Sequence, residues 1–266
     1  MKGTVMDVKG RTALITGAST GIGAAYAREL AARGAALILV ARRESKLKEL
    51  ADDLRTTHGV RVDVAPLDLA RPGAAEILAG HVSELGRTVD ILINNAGFAT
   101  HGDVATADPE RLTEQVSLNC TTVVDLTTRF LPAMIAGRSG VVVNVASTAA
   151  FQPIAHMAVY GATKAFVLSF TEALWAETAG TGVRVVAICP GSTDTPFFDV
   201  VGAEEASMGK RRSPEQVVAT TFAALDRGRP SAVDGRVNAL LSRLPRLLPR
   251  RATLRIAERA VRPNPA

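Results

Sequence analysis

Short apolar runs alternate with segments of helical composition along this 266-residue chain, and this alternation constrains its fold more than any other feature. The runs are rich in Val, Ile and Leu and lack polar alternation, which is typical of parallel strands buried on both faces. They occupy residues 11–16, 36–41, 60–66, 90–94, 141–147 and 183–190. Strands that alternate with helices predict a doubly wound α/β Rossmann domain, a parallel sheet with helices on both faces.

We expect one such domain at residues 1–235 and a basic helical extension at residues 236–266, packed on or flanking it. The extension holds eight arginines and one acid, Glu258, a local charge of +7; subtracting this from the net +5 leaves −2 for the rest. Its leucines and arginines would suit a weak contact with an anionic membrane surface, although two prolines interrupt them. No aromatic platform or recognition motif accompanies the arginines, so nucleic acid is not an expected partner.

The cellular location is predicted from what the sequence lacks. No apolar run approaches the roughly 20 residues of a membrane span, and residues 1–10 do not contain the apolar stretch of a secretory signal. Two widely separated cysteines, Cys120 and Cys189, suit a reducing compartment. A cytoplasmic protein is expected, with peripheral membrane association through the extension as the alternative.

A glycine-rich turn, TGASTGIG at residues 16–23, follows the first apolar run and opens the first helical segment. Its glycines permit a tight turn and let backbone amides approach a pyrophosphate. The helix that begins near Ile22 directs its N-terminal amides and partial positive charge toward that anion. The pattern predicts a dinucleotide site that includes Gly17, Ser19, Thr20, Gly21, Ile22 and Gly23.

The same turn contains the G-x-S-x-G pattern of an α/β-hydrolase, with Ser19 as the nucleophile. Only 18 residues precede Ser19, too few for the upstream strand and loop that supply the oxyanion hole. The histidines, His58, His81, His101 and His156, do not lie late in the chain where that fold places its base, and they lack metal-ligand spacing. A serine hydrolase is the weakest alternative, and no metal site is expected.

Tyr160 and Lys164 lie four residues apart in a segment of helical composition, which places both side chains on one helix face. A free tyrosine titrates near pH 10, and lowering its pKa to roughly 7 requires about 4 kcal/mol, which a nearby ammonium and a cationic ring are expected to supply. Ser147, at the end of the fifth apolar run, lies where open α/β sheets bind ligands. Taken singly, each residue type also occurs at such positions without catalytic function.

Together these residues resemble the short-chain dehydrogenase/reductase family over residues 8–235. The matching motifs are T-G-x-x-x-G-x-G at residues 16–23, N-N-A-G at 94–97, Y-x-x-x-K at 160–164, a serine thirteen positions before the tyrosine, and P-G at 190–191. Their order and spacing are far more specific than any one motif. The resemblance implies that hydride passes between a nicotinamide and a carbonyl carbon.

The resemblance also implies the roles of individual residues. Tyr160 would be the general acid/base, Lys164 would bind the nicotinamide ribose and lower the Tyr160 pKa, and Ser147 would position the substrate oxygen. Asn119 would anchor a water-mediated proton relay. The further cofactor contacts that it implies are Asp68 and Leu69 at the adenine, Asn95, Ala96 and Gly97 along the cleft, Pro190, Gly191 and Thr193 after the sixth strand, and Thr195 at the carboxamide.

The end of the second strand predicts which dinucleotide binds. Where NAD-dependent members carry an acid for the ribose 2′-hydroxyl, this chain has Ala41, followed by Arg42 and Arg43. A guanidinium fork is well suited to the 2′-phosphate of NADP, although two arginines that solvate a loop would look the same. NADP(H) is therefore the expected cofactor.

The expected substrate pocket is apolar and lined by Ser147, Ala149, Phe151, Met157, Phe197 and Phe198. It favours a small hydrophobic ketone, aldehyde or alcohol, lipid, acyl or steroid-like, over a sugar. Residues 199–212 look like a mobile lid whose Lys210-Arg211-Arg212 run faces water, with recognition of an acidic carrier as the alternative.

Family members usually end soon after a V-D-G-G-like turn, here residues 233–235, so residues 236–266 are an addition. Such an addition resembles a branch acting on lipids, long acyl chains or steroids. A homodimer through the helices that carry Asn119 and Tyr160, or a homotetramer, is the family expectation. A dinucleotide-sensing or scaffold protein without turnover is the alternative from a different class.

Overall fold

The computed structural model describes residues 7–197, 201, 210–246 and 249–260. Within these residues a seven-stranded sheet runs in the order β3-β2-β1-β4-β5-β6-β7, with every neighbouring pair parallel. The strands are β1 (Thr12–Thr16), β2 (Ala36–Ala41), β3 (Val62–Pro66), β4 (Ile91–Asn94), β5 (Gly140–Val145), β6 (Val183–Cys189) and β7 (Ser231–Val233). The predicted doubly wound parallel sheet is confirmed.

Six strands coincide with the predicted apolar runs within two residues at either end. The fifth ends at Val145, so Ser147 lies beyond the strand and caps the 3-10 turn Thr148–Phe151. The seventh strand, β7, was not predicted from the hydropathy pattern. It has three residues, each only partly buried, and is too short to show a periodicity.

Helices cover both faces of the sheet. They are α1 (Gly21–Ala32), α2 (Glu44–His58), α3 (Ala74–Glu84), α4 (Pro109–Val116), α5 (Thr122–Ala136), α6 (Ala158–Glu177), α7 (Pro214–Asp226), α8 (Arg236–Leu241) and α9 (Arg250–Ala260). A π-helical turn, Ser117–Thr121, joins α4 to α5. Helix α7 begins with a capping box in which Ser213 and Gln216 each accept the other's backbone N–H, a common way to satisfy the first turn.

The core forms two layers because successive strand residues point to opposite faces of the sheet. Ala13 and Ile15 of β1 pack with α1, α2 and α7, whereas Leu14 packs with α3, α5 and α6. Each fully buried Leu or Ile contributes about 1.5–3 kcal/mol relative to an exposed one. Both faces are covered, which explains why the strands lack polar alternation.

The described part of the C-terminal extension, residues 236–246 and 249–260, is helical and contains α8, a 3-10 turn at Leu244–Arg246 and α9. Thr253 and Ala257 of α9 are buried, so this helix packs on the protein, whereas Arg251 and Arg255 are exposed. Across the described ranges, no helix combines the length and the apolarity that crossing a membrane requires.

Candidate active site

A cleft of about 1220 Å³ lies along the carboxyl edge of the sheet. Its wall includes residues that follow each of β1 to β7, among them Gly17, Asn95, Ser147 and Gly191. The order of the strands reverses between β1 and β4, and such a switch point is where open α/β sheets bind ligands.

Most residues predicted for the site line this one cleft. Those in its wall are Gly17, Ser19, Thr20, Gly21, Ile22, Arg42, Arg43, Asp68, Leu69, Asn95, Ala96, Gly97, Ser147, Ala149, Phe151, Met157, Tyr160, Lys164, Pro190, Gly191, Thr193, Thr195 and Phe197. Gly23 and Asn119 are not part of the wall. Phe198 and most of the predicted lid, at positions 198–200 and 202–209, lie outside the described residues.

The glycine-rich turn requires glycine for its backbone conformation and for close contacts with neighbouring segments. Gly17 and Gly21 have positive φ angles of 64° and 57°, which residues with a side chain rarely adopt. A Cβ at Gly21 would lie 2.9 Å from Thr195 Cγ2. A Cβ at Gly23 would overlap the carbonyl oxygen of Gly17, so Gly23 serves close packing of α1 on the turn rather than the cleft surface.

Thr16 joins the glycine-rich turn to the N-N-A-G segment, a role that was not predicted. Its hydroxyl accepts the backbone N–H groups of Asn95 at 2.9 Å and Ala96 at 3.0 Å and donates to the carbonyl of Ile93 at 3.2 Å. The Asn95 amide donates in turn to the carbonyl of Thr16 at 2.9 Å. These bonds hold the ends of β1 and β4 together. In the sequence, Thr16 was identified only as the first residue of the T-G-x-x-x-G-x-G motif.

Helix α6 carries Tyr160 and Lys164 on the face that meets the cleft, and both side chains are buried. The Lys164 ammonium donates to the carbonyl of Val145 at 2.8 Å and lies 5.8 Å from the centre of the Tyr160 ring. The Ser147 hydroxyl accepts the N–H of Ala149 at 3.1 Å, which fixes it at the same edge. The expected cluster of tyrosine, lysine and serine is therefore present in space.

The expected lowering of the Tyr160 pKa requires the cationic ring of the cofactor as well as the Lys164 ammonium and stays a prediction; in the chain by itself the shift is in the other direction. Burial raises the pKa of Tyr160 to about 12, and a hydrogen bond with Ser147 offsets only part of that rise. Burial likewise lowers the pKa of Lys164 to about 8. Desolvation dominates because the Lys164 ammonium is directed at the carbonyl of Val145 rather than at the phenol oxygen.

Asn119 lies in the π-helical turn and is buried. Its side chain accepts the N–H of Phe98 at 3.1 Å and donates to the carbonyl of Phe98 at 2.9 Å and to the Thr163 hydroxyl at 3.1 Å. Asn119 thus fastens the segment after β4 to helix α6. A π-helical turn is a frequent feature of functional sites, because the extra residue re-aims side chains.

Arg42 and Arg43 follow β2 and are both exposed in the wall of the cleft. The guanidinium of Arg43 lies 3.4 Å from the hydroxyl groups of both Ser19 and Thr20. The arginines and the glycine-rich turn therefore bound the same end of the cleft, which is polar and cationic.

The other end of the cleft is apolar. Ala149, Ile154, Met157 and Tyr160 form a buried cluster against which Phe197 packs, with ring centres of Tyr160 and Phe197 5.8 Å apart. Ile154 was not among the predicted pocket residues.

Cationic and C-terminal residues also line the cleft, and those of the C-terminal extension were not predicted to do so. Lys210, Arg211 and Arg212 belong to its wall instead of only facing water, and so does Arg236. Arg212 pairs with the buried carboxylate of Asp234 at 2.5 Å. From the extension, the wall further includes Val237, Asn238, Leu241, Ser242 and Pro245.

The sequence profile of the family described as short chain dehydrogenase matches residues 11–206, most of this chain. The chain belongs to the short-chain dehydrogenase/reductase family. It is therefore an oxidoreductase, and the serine-hydrolase alternative at Ser19 is wrong. The four histidines are absent from the cleft wall within the described part of the chain.

Comparison with known proteins supports the same family. Sulfoacetaldehyde reductase 2 of Chromohalobacter salexigens is 40% identical over 200 residues, 73% of this chain and 77% of the relative. A short-chain dehydrogenase from Sphingobium yanoikuyae in complex with NADPH is 34% identical, covers 89% of this chain and 94% of its own, and has a TM-score of 0.80. A 7β-hydroxysteroid dehydrogenase is 29% identical with a TM-score of 0.86, covering 95% of this chain and 98% of its own.

The residues of this dehydrogenase fit a nicotinamide dinucleotide. The glycine-rich turn lines the cleft at the N-terminus of α1, where backbone amides suit a pyrophosphate, and the cationic end suits a phosphate. Among residues 7–197, 201, 210–246 and 249–260, no group of three or more metal-ligating side chains occurs.

Proposed function

We propose that this chain is an NADP(H)-dependent reductase of an apolar ketone or aldehyde, with Tyr160 as the general acid/base. The observation that carries the proposal is that Tyr160, Lys164 and Ser147 meet in one cleft, between the glycine-rich turn and an apolar cluster. The polar end would hold the dinucleotide, and the apolar end would hold the substrate.

The residues of the cleft wall support a set of cofactor contacts. The glycine-rich turn and the first turn of α1 would hold the pyrophosphate, Asp68 and Leu69 the adenine, and Arg42 with Arg43 the 2′-phosphate. The segment at 95–97 and the residues Pro190, Gly191, Thr193 and Thr195 would hold the nicotinamide half. When bound, NADPH supplies the hydride for carbonyl reduction.

Tyr160 would act as the proton donor in the reductive direction. With its pKa raised to about 12, Tyr160 is a neutral phenol at pH 7 and has a proton to give to a carbonyl oxygen as negative charge develops there. Ser147 would donate a hydrogen bond to the same oxygen. Lys164 would orient the nicotinamide ribose. Asn119 would anchor the proton relay, and its hydrogen bonds to Phe98 and Thr163 would hold helix α6 against the segment after β4.

The apolar end of the cleft supports a hydrophobic substrate. Its buried cluster of Ala149, Ile154, Met157 and Phe197 offers a large apolar surface with Tyr160 at its edge. Among the relatives, one acts on a hydroxysteroid and another on sulfoacetaldehyde, so the family alone does not decide the substrate. The cations at Lys210, Arg211 and Arg236 also line the cleft; they would suit the phosphates of a dinucleotide or an acidic carrier.

Consumption of NADPH by the purified chain tests the proposal, measured with ketones and aldehydes graded by chain length and ring number. We expect rates that rise with the apolarity of the carbonyl compound, because apolar area removed from water at the cluster strengthens binding. A sugar ketose serves as the polar control. Binding of NADPH without turnover of any carbonyl compound would contradict the reductase and favour a dinucleotide sensor or scaffold.

We also propose a homo-oligomer, a dimer or tetramer, that uses the helices near Asn119 and Tyr160. Large apolar side chains are exposed on these helices: Val116, Ile135, Phe166 and Trp175. Phe166 stacks on Phe170 with ring centres 6.0 Å apart, which makes a flat apolar surface on α6.

A weak contact with an anionic membrane surface through α9 is proposed as well. This helix exposes Leu254 and Ile256 beside Arg251 and Arg255. Each arginine near an anionic bilayer contributes about 1 kcal/mol, so Arg251→Gln with Arg255→Gln should lower vesicle binding by roughly tenfold or more. Co-sedimentation with phosphatidylserine-containing vesicles measures this, with pure phosphatidylcholine vesicles as the control; equal binding to both vesicle types would refute the contact.

A further inference from the structure

Helix α8, at the start of the C-terminal extension, forms part of the cleft wall. Val237 and Leu241 lie one turn apart on the same face of α8, and both line the cleft. Their exposed fractions, 70% and 52%, are large for apolar side chains. Leu240, the neighbour of Leu241, is 63% exposed but is absent from the cleft wall. One face of α8 therefore presents uncovered apolar surface to the cleft.

Hydrogen bonds and close packing between α8 and the segments that precede it fix the position of this helix. Asp234 is fully buried; its carboxylate pairs with Arg212 at 2.5 and 3.1 Å and accepts the Thr220 hydroxyl at 2.6 Å. The amide of Asn238 donates to the carbonyl of Asp234 at 2.8 Å. It also packs so closely on Gly191 that a Cβ there would lie 2.5 Å from Asn238 Nδ2. The first turn of α8 is thus fastened to the turn after β6.

The far end of the extension contacts the segment that precedes α6. Glu258 of α9 lies 3.8 Å from Nε2 of His156, whose Nδ1 lies 2.7 Å from Asp103. His156 belongs to the segment that carries Ile154 and Met157, two members of the apolar cluster. The extension therefore lines the cleft through α8 and contacts, through α9, the segment that carries part of the apolar cluster.

From these contacts we propose that Val237 and Leu241 are specificity-determining residues that bind the apolar part of the substrate remote from its carbonyl group. This inference rests on the proposed function, since it assumes an apolar substrate in the same cleft. A long or bulky substrate would cover the exposed faces of Val237 and Leu241, whereas a short ketone would not reach them. Selectivity for large substrates would then come from the extension and not from the catalytic residues.

Binding in a complex that cannot turn over provides the test. The full chain is saturated with NADP⁺, which has no hydride to give, and Kd values for 2-undecanone and 2-butanone are measured by ligand-observed NMR titration. Leu241→Ser is expected to weaken 2-undecanone binding about tenfold, the effect of a lost apolar contact in a pocket, with 2-butanone unchanged. Val237→Ser should also weaken 2-undecanone binding. Leu241→Met, which keeps an apolar side chain, should bind 2-undecanone as the wild type does.

Leu240→Ser is the matched control, because it makes the same chemical change on the same helix without touching the cleft wall. It should bind both ketones as the wild type does. Matching thermal unfolding midpoints show that each variant is folded. The inference would be overturned if Leu241→Ser and the wild type had equal Kd values for 2-undecanone, or if the Leu240 and Leu241 variants bound it equally weakly. A wild type that does not prefer 2-undecanone to 2-butanone would overturn it as well. Leu241-dependent binding with no NADPH-driven reduction would uphold the inference while refuting the reductase.

Discussion

Replacing Tyr160 by phenylalanine is expected to lower kcat for ketone reduction by about 10²- to 10⁴-fold, the usual contribution of a positioned general acid. In the proposed mechanism the phenol is the proton source, and burial raises its pKa. Phenylalanine keeps the ring that packs against Phe197, so the shape of the pocket is preserved. NADPH affinity should change little, since the glycine-rich turn and the arginines after β2 are untouched; fluorescence titration with NADPH measures this beside the turnover assay.

The other tyrosine of the chain supplies the control. Tyr26 in α1 is fully buried outside the cleft wall and shares a 2.6 Å hydrogen bond with Thr221. Tyr26→Phe removes the same hydroxyl group and should cost about 1 kcal/mol of stability, with kcat unchanged. Ketone reduction by Tyr160→Phe within tenfold of the wild-type rate would show that another group delivers the proton.

The second large effect is expected at the end of β2. The double variant Arg42→Ala, Arg43→Ala should bind NADPH about 10²-fold more weakly and NADH with unchanged affinity, because only NADPH carries the 2′-phosphate that charge-assisted hydrogen bonds would hold. Arg43 already lies beside Ser19 and Thr20 at the polar end of the cleft, 3.4 Å from each hydroxyl. Titration of each reduced cofactor into both proteins gives the ratio of affinities.

A control with the same change in net charge distinguishes specific binding of the 2′-phosphate from general electrostatic attraction of the anionic cofactor. Lys46→Ala with Lys48→Ala removes two cations from α2, where they pair with Glu49 and Glu44 on the exposed surface. These lysines are not in the cleft wall. Equal losses of NADPH affinity in the two double variants, or a parallel loss of NADH affinity, would argue against recognition of the 2′-phosphate by Arg42 and Arg43.

Local features of the sequence predicted the sheet and much of the cleft wall. The apolar runs predicted six strands because a strand buried on both faces needs apolar residues without alternation. Gly17 and Gly21 predicted the turn because its positive φ angles exclude most other residues. Spacing predicted that Tyr160 and Lys164 share a helix face, and the family resemblance implied that Ser147 joins them; the structure places all three in one cleft.

The properties that depend on burial were not predictable in the same way. Proximity in sequence suggested that Lys164 lowers the Tyr160 pKa, yet burial raises it. The direction depends on where the ammonium points and on how much water reaches the phenol, and neither is encoded in a four-residue spacing. Asn119 likewise has hydrogen-bond partners at Phe98 and Thr163 that no local pattern indicates.

The C-terminal extension has some properties that its sequence determined and others that depended on the tertiary structure. By itself, the sequence determined that residues 236–266 are basic and compatible with helix, since composition and local propensity suffice for that. Only the tertiary structure decided that Val237 and Leu241 line the cleft and that Lys210 lies in its wall. Their positions result from contacts between residues far apart in the chain, such as Asn238 on Gly191 and Glu258 near His156. Such contacts are set by how the elements pack, and no short stretch of sequence contains them.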